Sequence, residues 1–174
     1  ALAAADLGLC SVPELGEFAE RLLASCERMP KWRGHLYNWY DTRTLRPLEP
    51  RYVSTVDSGN LAACLGAARR GLTDYGRADL AARAEALYQA MDFRPLYDPG
   101  RRLFRIGWDE SAGKLSEGLY DLLSSEARLT GYLCVARGEV PRRHWRRLSR
   151  ALVSKDGYRG MASWTGTMFE YLMP

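Results

Sequence analysis

The amino-acid sequence predicts a mainly α-helical fold in two layers, broken by one small β-hairpin and one long aromatic loop. Apolar residues recur at helical spacing in the longer segments. Helices with one polar face alternate along the chain with helices that are apolar nearly all round. A turn signal, Asp98-Pro99-Gly100, separates two short apolar runs, because Pro presets φ and Gly accepts positive φ. An inner ring of helices shielded by an outer one gives this alternation, as in an α/α toroid; a four-helix bundle would carry one stripe on every helix.

The run Ala1 to Leu9 lacks a basic n-region and a cleavage signature, so it reads as the tail of a core helix and not as a signal peptide. Ser11, followed three residues on by Glu14, forms a capping box that opens a helix over 11–29. Its apolar face is Leu15, Phe18, Leu22 and Cys26. Residues 30–54 are punctuated by Pro30, Gly34, Pro47 and Pro50 and rich in Trp, Tyr and Arg. They predict a long loop, and such loops inside a compact domain usually carry function. A buried helix over 55–72 and an amphipathic one over 77–91 follow. The hairpin spans 93–108. A fourth helix is expected over 117–137, a short one from Pro141, and a last one from Ser163 to the end. Both ends are apolar, so residues 1–174 are expected to be a piece of one domain truncated at each end.

With 174 residues the chain is long enough for one core, and 47% apolar and 26% charged residues are ordinary for a globular protein. No run approaches the ~20 apolar residues that a membrane-spanning helix needs. The net charge of +4 is mild, and no basic stripe of the kind nucleic-acid binders carry is present. The cluster Arg142-Arg143-His144-Trp145-Arg146-Arg147 reads as a solvated helical face. Cys10, Cys26, Cys64 and Cys134 form no CxxC pair, and with only His35 and His144 besides, metal-ligand spacing is missing. Each cysteine is expected to be a small buried hydrophobe. No phosphate loop, G-x-S-x-G elbow or HExxH occurs. No metal and no cofactor is implied.

On the expected fourth helix, Leu119, Leu122, Leu129 and Leu133 mark one stripe, and Glu126 fills a slot on it. A carboxylate pointed inward either pairs with an arginine or has its pKa raised by desolvation, which suits a general acid. Asp57 either complements the N-terminal dipole of its helix or, beside Asn60, accepts a sugar hydroxyl. The loop residues Tyr37, Asn38, Trp39, Tyr40 and Asp41 offer aromatic platforms next to short polar side chains, matching the apolar faces and hydroxyl rims of sugars; a mini-core under the loop is the other reading. Trp164 and Glu170 sit among large apolar residues, where Glu170 is either a structural pair or a second site carboxylate. Asp121 falls off the leucine stripe and is expected to be solvated or at a helix N-terminus.

The strings GHLYNWYDTRTLRPLEPRYVSTVDSGNLAACL (34–65), MDFRPLYDPGRRLFRIGWD (91–109), YDLLSSEARL (120–129) and SWTGTMFEYLMP (163–174) closely resemble the glycoamylase-like domain of cyclic β-1,2-glucan synthases. The resemblance spreads over most of the chain from Gly34 on. It implies an (α/α)6 toroid, of which this chain would be a part, related to β-1,2-glucan-cleaving glycoside hydrolases. It implies retaining transglycosylation that closes a linear β-1,2-glucan into a ring, with Glu126 as the acid/base residue. It also implies a membrane glycosyltransferase and a phosphorylase-like region as flanking parts of the parent chain, and a location on the cytoplasmic side of the bacterial inner membrane. The partner nucleophile of that family lies in a later helix, and no segment before Pro174 matches it. A retaining enzyme needs its two carboxyl groups about 5–5.5 Å apart, so the piece is expected to be inactive alone. Glu170 is the other option for the second carboxylate, but a substrate-site or structural role is expected for it, with Trp164 in the substrate site. A non-catalytic glucan-binding or scaffold module is the alternative function.

Overall fold

The computed structural model describes residues 1–172; Met173 and Pro174, the end of the expected last helix, lie outside the described residues. Over the described residues the chain is mixed and mainly helical, with four small sheets. It divides into two compact units. The first holds residues 1–49 and 61–92, the second residues 50–60 and everything from Phe93 on.

In the first unit, α1 (Leu2–Asp6) is a single turn with no buried residue, so the opening run is helical but not the core helix expected. Helix α2 (Val12–Arg28) starts as the sequence predicts: Ser11 caps the Glu14 amide while the Glu14 carboxylate accepts from the Ser11 amide at 2.8 Å. It buries Leu15, Gly16, Ala19 and Leu23. The expected stripe is shifted: Phe18 and Leu22 are exposed. The supposed loop is in fact partly ordered as a hairpin, β1 (Lys31–Trp32) against β2 (His35–Leu36). Gly34 makes it possible at φ +83°, where a Cβ would stand 2.1 Å from the Ala90 carbonyl oxygen. The loop closes with a bridge between Tyr40 and Pro47. Helix α4 (Ala78–Ala90) packs Leu80, Ala81 and Ala84 inward, and Arg83 reaches across to Glu20 and Glu27 of α2.

Helix α3 (Thr55–Asp74) gives its first six residues to the second unit. It is less enclosed than expected, since Cys64 and Ala67 are exposed. Of the cysteines only Cys134 is buried; all four are free. Strand β3 (Tyr52–Ser54) runs straight into α3 and pairs with β6 (Gly107–Asp109), which pairs in turn with β7 (Lys114–Leu115). The predicted hairpin forms, with β4 (Tyr97–Asp98) against β5 (Leu103–Arg105) and Tyr97 opposite Phe104. A 3₁₀ turn, Arg94–Leu96, leads into it.

The expected helix over 117–137 is much shorter. Residues Leu119–Tyr120 form β8 on the edge of β5, and α5 covers only Ala127–Ala136. The unpaired edge of β5 satisfies backbone groups at Leu119 and Tyr120. The Ser124-Ser125 pair then competes with the helix, because Ser125 Oγ takes the Ala127 amide at 3.2 Å. The leucine spacing was coincidental: α5 buries Ala127, Thr130, Gly131 and Cys134 instead. A short α6 (Arg143–Arg147) follows, with its arginines outward and His144 buried. A hairpin absent from the sequence reading, β9 (Leu152–Lys155) with β10 (Tyr158–Met161), precedes α7 (Met168–Leu172).

The start of α3 meets α5 at a glycine. A Cβ on Gly59 would stand 1.8 Å from Thr130 Oγ1, and the Thr130 hydroxyl donates to the Thr55 carbonyl at 3.3 Å. On the next residue of α5, a Cβ on Gly131 would meet His144 Nε2 at 2.6 Å. The other His144 nitrogen, Nδ1, bonds the Arg102 carbonyl at 3.1 Å. Gly59 and Gly131 thus each leave room for a side chain, that of Thr130 and that of His144, against the helix backbone. Gly59→Ala is expected to destabilise the chain by about 1–3 kcal/mol through overpacking. Gly66→Ala, where a Cβ would meet nothing within 4 Å in the same helix, is expected to stabilise by about 0.5–1 kcal/mol. Urea unfolding of the two variants checks the contrast.

Candidate functional site

Glu126 stands immediately before α5, as its N-cap residue, with helical backbone angles and no capping bond from its side chain. The loss of the expected helix changes why it is partly buried, not the fact. The approach of α3 to α5 brings it under the influence of Asp57, and burial together with the charges of Asp57 and Glu170 raises its pKa above the ordinary carboxylate value. Among the described residues it forms no ion pair. A raised carboxyl pKa favours the neutral form, which is the form a general acid uses.

Asp57 is exposed in the first turn of α3, its amide donating to Ser54 Oγ at 3.2 Å. Asn60, half-buried, is one helical turn further on and shares that face. Two residues missed by sequence reasoning complete the surroundings. Tyr120 stacks on Trp164 with ring centroids 5.5 Å apart, and burial plus the charge of Glu126 drives its phenol well above the usual pKa. Tyr52, whose hydroxyl bonds Ser116 Oγ at 2.8 Å, also acts on Tyr120. The signal for Tyr120 was its place at the head of the YDLLSSEARL string, though nothing in spacing picked it out.

Trp164 is half-exposed and is steered by a bond from its Nε1 to Asp121 at 3.2 Å, so Asp121, exposed as expected, is a positioning group. Glu170 closes the Ser163–Thr167 loop. It accepts from the Thr165 hydroxyl at 2.6 Å and the Thr165 amide at 2.9 Å, and from the Trp164 amide at 3.2 Å. These bonds, the Thr165 hydroxyl first, pull its pKa down to about 2. The two glutamates therefore shift in opposite directions: hydrogen bonds favour the ionised form of Glu170, and burial with neighbouring charges favours the neutral form of Glu126.

The aromatic loop belongs to the first unit and is mostly turned on itself. Tyr37 is buried against Tyr40 in an edge-on contact at 6.2 Å. The Tyr40 hydroxyl accepts from the Tyr37 amide and donates to the Pro30 carbonyl. Asp41 accepts from Thr44 and Arg43, which lowers its pKa and fixes a turn. Asn38 is half-buried and Trp39 is 48% exposed, so only the tryptophan offers an open ring face. Among the described residues no group of three or more His, Cys, Asp or Glu is placed to hold a metal ion, and no helix is long and apolar enough to cross a membrane.

The fold and site define a mainly helical protein with a carboxylate set beside a stacked Tyr–Trp pair. The cyclic beta-(1,2)-glucan synthase NdvB of Rhizobium meliloti (strain 1021) is 28% identical to the chain, with 89% of this chain aligned, and the chain is related to that synthase. It spans about a tenth of the synthase's length. No protein-family model matches the chain.

The electrostatics predict two pH effects. Glu126 has a raised folded pKa, so its contribution to stability falls as pH rises from the ordinary value toward the folded one. In ¹³C NMR titration Asp57→Asn and Glu170→Gln should each bring the Glu126 pKa down. Glu170 has a depressed pKa, so its contribution is present above the ordinary value and lost as pH falls toward about 2. Amide exchange at Thr165 should be faster in Glu170→Gln than in the parent at neutral pH, with the difference shrinking in acid.

Proposed function

We propose that the chain is part of a glycoamylase-like, carbohydrate-active domain, built as part of an (α/α)6 toroid, that cleaves or transglycosylates β-1,2-glucan during cyclic β-1,2-glucan synthesis. The observation that supports this best is the raised pKa of Glu126, caused by burial and by Asp57 and Glu170. The relation to a cyclic beta-(1,2)-glucan synthase supports the substrate class. In this reading Glu126 is the acid/base of a two-carboxylate retaining mechanism. Its neutral carboxyl donates a proton to the leaving glycosidic oxygen as a second carboxylate, from a later helix of the parent chain, bonds the anomeric carbon; its carboxylate then takes a proton from the incoming hydroxyl that displaces that second carboxylate. Asp57 and Asn60 bond sugar hydroxyls, and the open face of Trp164 carries the apolar face of a glucose unit. Tyr37, Asn38, Tyr40 and Asp41 shape the loop that presents Trp39. The parent chain, on this reading, flanks the domain with a membrane glycosyltransferase and a phosphorylase-like region at the cytoplasmic side of the inner membrane.

A glucan-binding module without chemistry is the second reading, favoured by the half-exposed Trp39 and Trp164. Product analysis of the longer parent chain after incubation with linear β-1,2-glucan separates the two. Glu126→Gln is expected to slow turnover by roughly 10²–10⁴-fold while leaving glucan affinity intact. Trp164→Ala should weaken binding. Full turnover by Glu126→Gln would remove this residue from the chemistry, and binding without turnover by the parent protein would favour the second reading.

A further inference from the structure

The turn between β4 and β5 and the end of α6 bring three arginines to adjoining clefts of the second unit. Arg101 and Arg147 line a cleft of about 210 Å³ together with Leu103, Leu119, Asp121 and Ser149. With Arg102 and Gly100 they line a second of about 310 Å³. All three arginines are exposed, and among the described residues none of their guanidinium groups makes an ion pair or hydrogen bond. Two other arginines of the unit are matched, Arg105 with Asp98 and Arg137 with Glu139, while Arg142, Arg143, Arg146 and Arg159 are exposed and line neither cleft. Three unmatched like charges around one hollow repel each other, and an oxyanion placed between them relieves that repulsion through charge-assisted, forked hydrogen bonds.

The turn that carries two of them is held in place from several sides. The Arg101 amide donates to Asp98 Oδ1 at 2.8 Å, and the Arg102 amide to the Asp98 carbonyl at 2.7 Å. Arg102 adopts φ +61°, an uncommon conformation for a residue with a side chain. Its carbonyl is bonded from beneath by the buried His144 at 3.1 Å. Asp121 is the one acid lining the clefts, and its carboxylate is engaged by Trp164 Nε1. The hollow therefore adjoins Trp164, the half-exposed ring stacked on Tyr120.

We propose that Arg101, Arg102 and Arg147 form a binding site for a phosphate group, borne by a small sugar or free in solution. The charged rim grips the phosphate, and the apolar side chains of Leu103 and Leu119 lie against the rest of the ligand. Nothing in this proposal requires Glu126 to be catalytic, so the two can fail separately.

Calorimetric titration of the chain with inorganic phosphate, glucose 6-phosphate and glucose tests it. Both phosphates should bind, more weakly as salt rises, and glucose should not bind at this site. A tighter complex with glucose 6-phosphate identifies a sugar phosphate as the occupant; equal affinities identify the free anion. Arg101→Gln with Arg147→Gln should weaken phosphate binding by about tenfold or more. Arg142→Gln with Arg146→Gln, which removes two exposed arginines of α6 or its start outside these clefts, should leave it unchanged. Circular dichroism confirms that both variants are folded. The proposal is overturned if neither phosphate binds, if both double variants lose affinity equally, or if glucose binds as tightly as its phosphate.

Discussion

The second unit depends on one close approach, the crossing of α3 and α5 at Gly59 and Thr130. No side chain larger than hydrogen fits at position 59, where a Cβ would lie 1.8 Å from the threonine hydroxyl. That hydroxyl in turn satisfies the Thr55 carbonyl at the start of α3. The crossing puts the first turn of one helix beside the first residue of another. Asp57 and Glu126 are the acids at those two ends, and their like charges act on each other because the backbones have come so near. The same packing principle recurs one residue later, where Gly131 admits His144 and His144 holds the turn of Arg101 and Arg102.

Around this crossing, carboxylates of similar intrinsic acidity are driven apart by what surrounds them. Glu170 lies in a loop whose hydroxyl and amides all point at it, and hydrogen bonds to the charged form outweigh everything else. Glu126 has no such donors and loses solvent, so its neutral form gains. Asp121 is engaged by the tryptophan and so takes a steering part. Environment, not residue type, distributes the roles.

The relation to a glucan synthase and the electrostatics of Glu126 are independent of each other, which is why together they support a carbohydrate reading better than either alone. The similarity comes from the pattern of side chains along the chain. The pKa shift comes from where three charges lie in space. The Tyr120–Trp164 stack belongs to the second kind of observation, since forty-odd residues separate the rings in sequence.

Local chemistry determined what the sequence could show by itself. The capping box at Ser11 and Glu14, the hairpin turn at Asp98-Pro99-Gly100, and helices α2, α3 and α4 are fixed by interactions spanning a few residues. Glu126, Trp164 and the neighbouring Asp57 were likewise legible as polar or aromatic residues in unusual company. The tertiary structure decided the rest. Residues Leu119 and Tyr120 looked helical, but an open strand edge offered their backbone better partners than the next turn of helix. The loop from Tyr37 to Asp41 looked like a platform, but its tyrosines pack on each other and Asp41 is taken up by Arg43 and Thr44, leaving Trp39 exposed. A periodic pattern reports which residues avoid water, whereas pairing and charge coupling depend on groups far along the chain, and only the folded backbone brings those together.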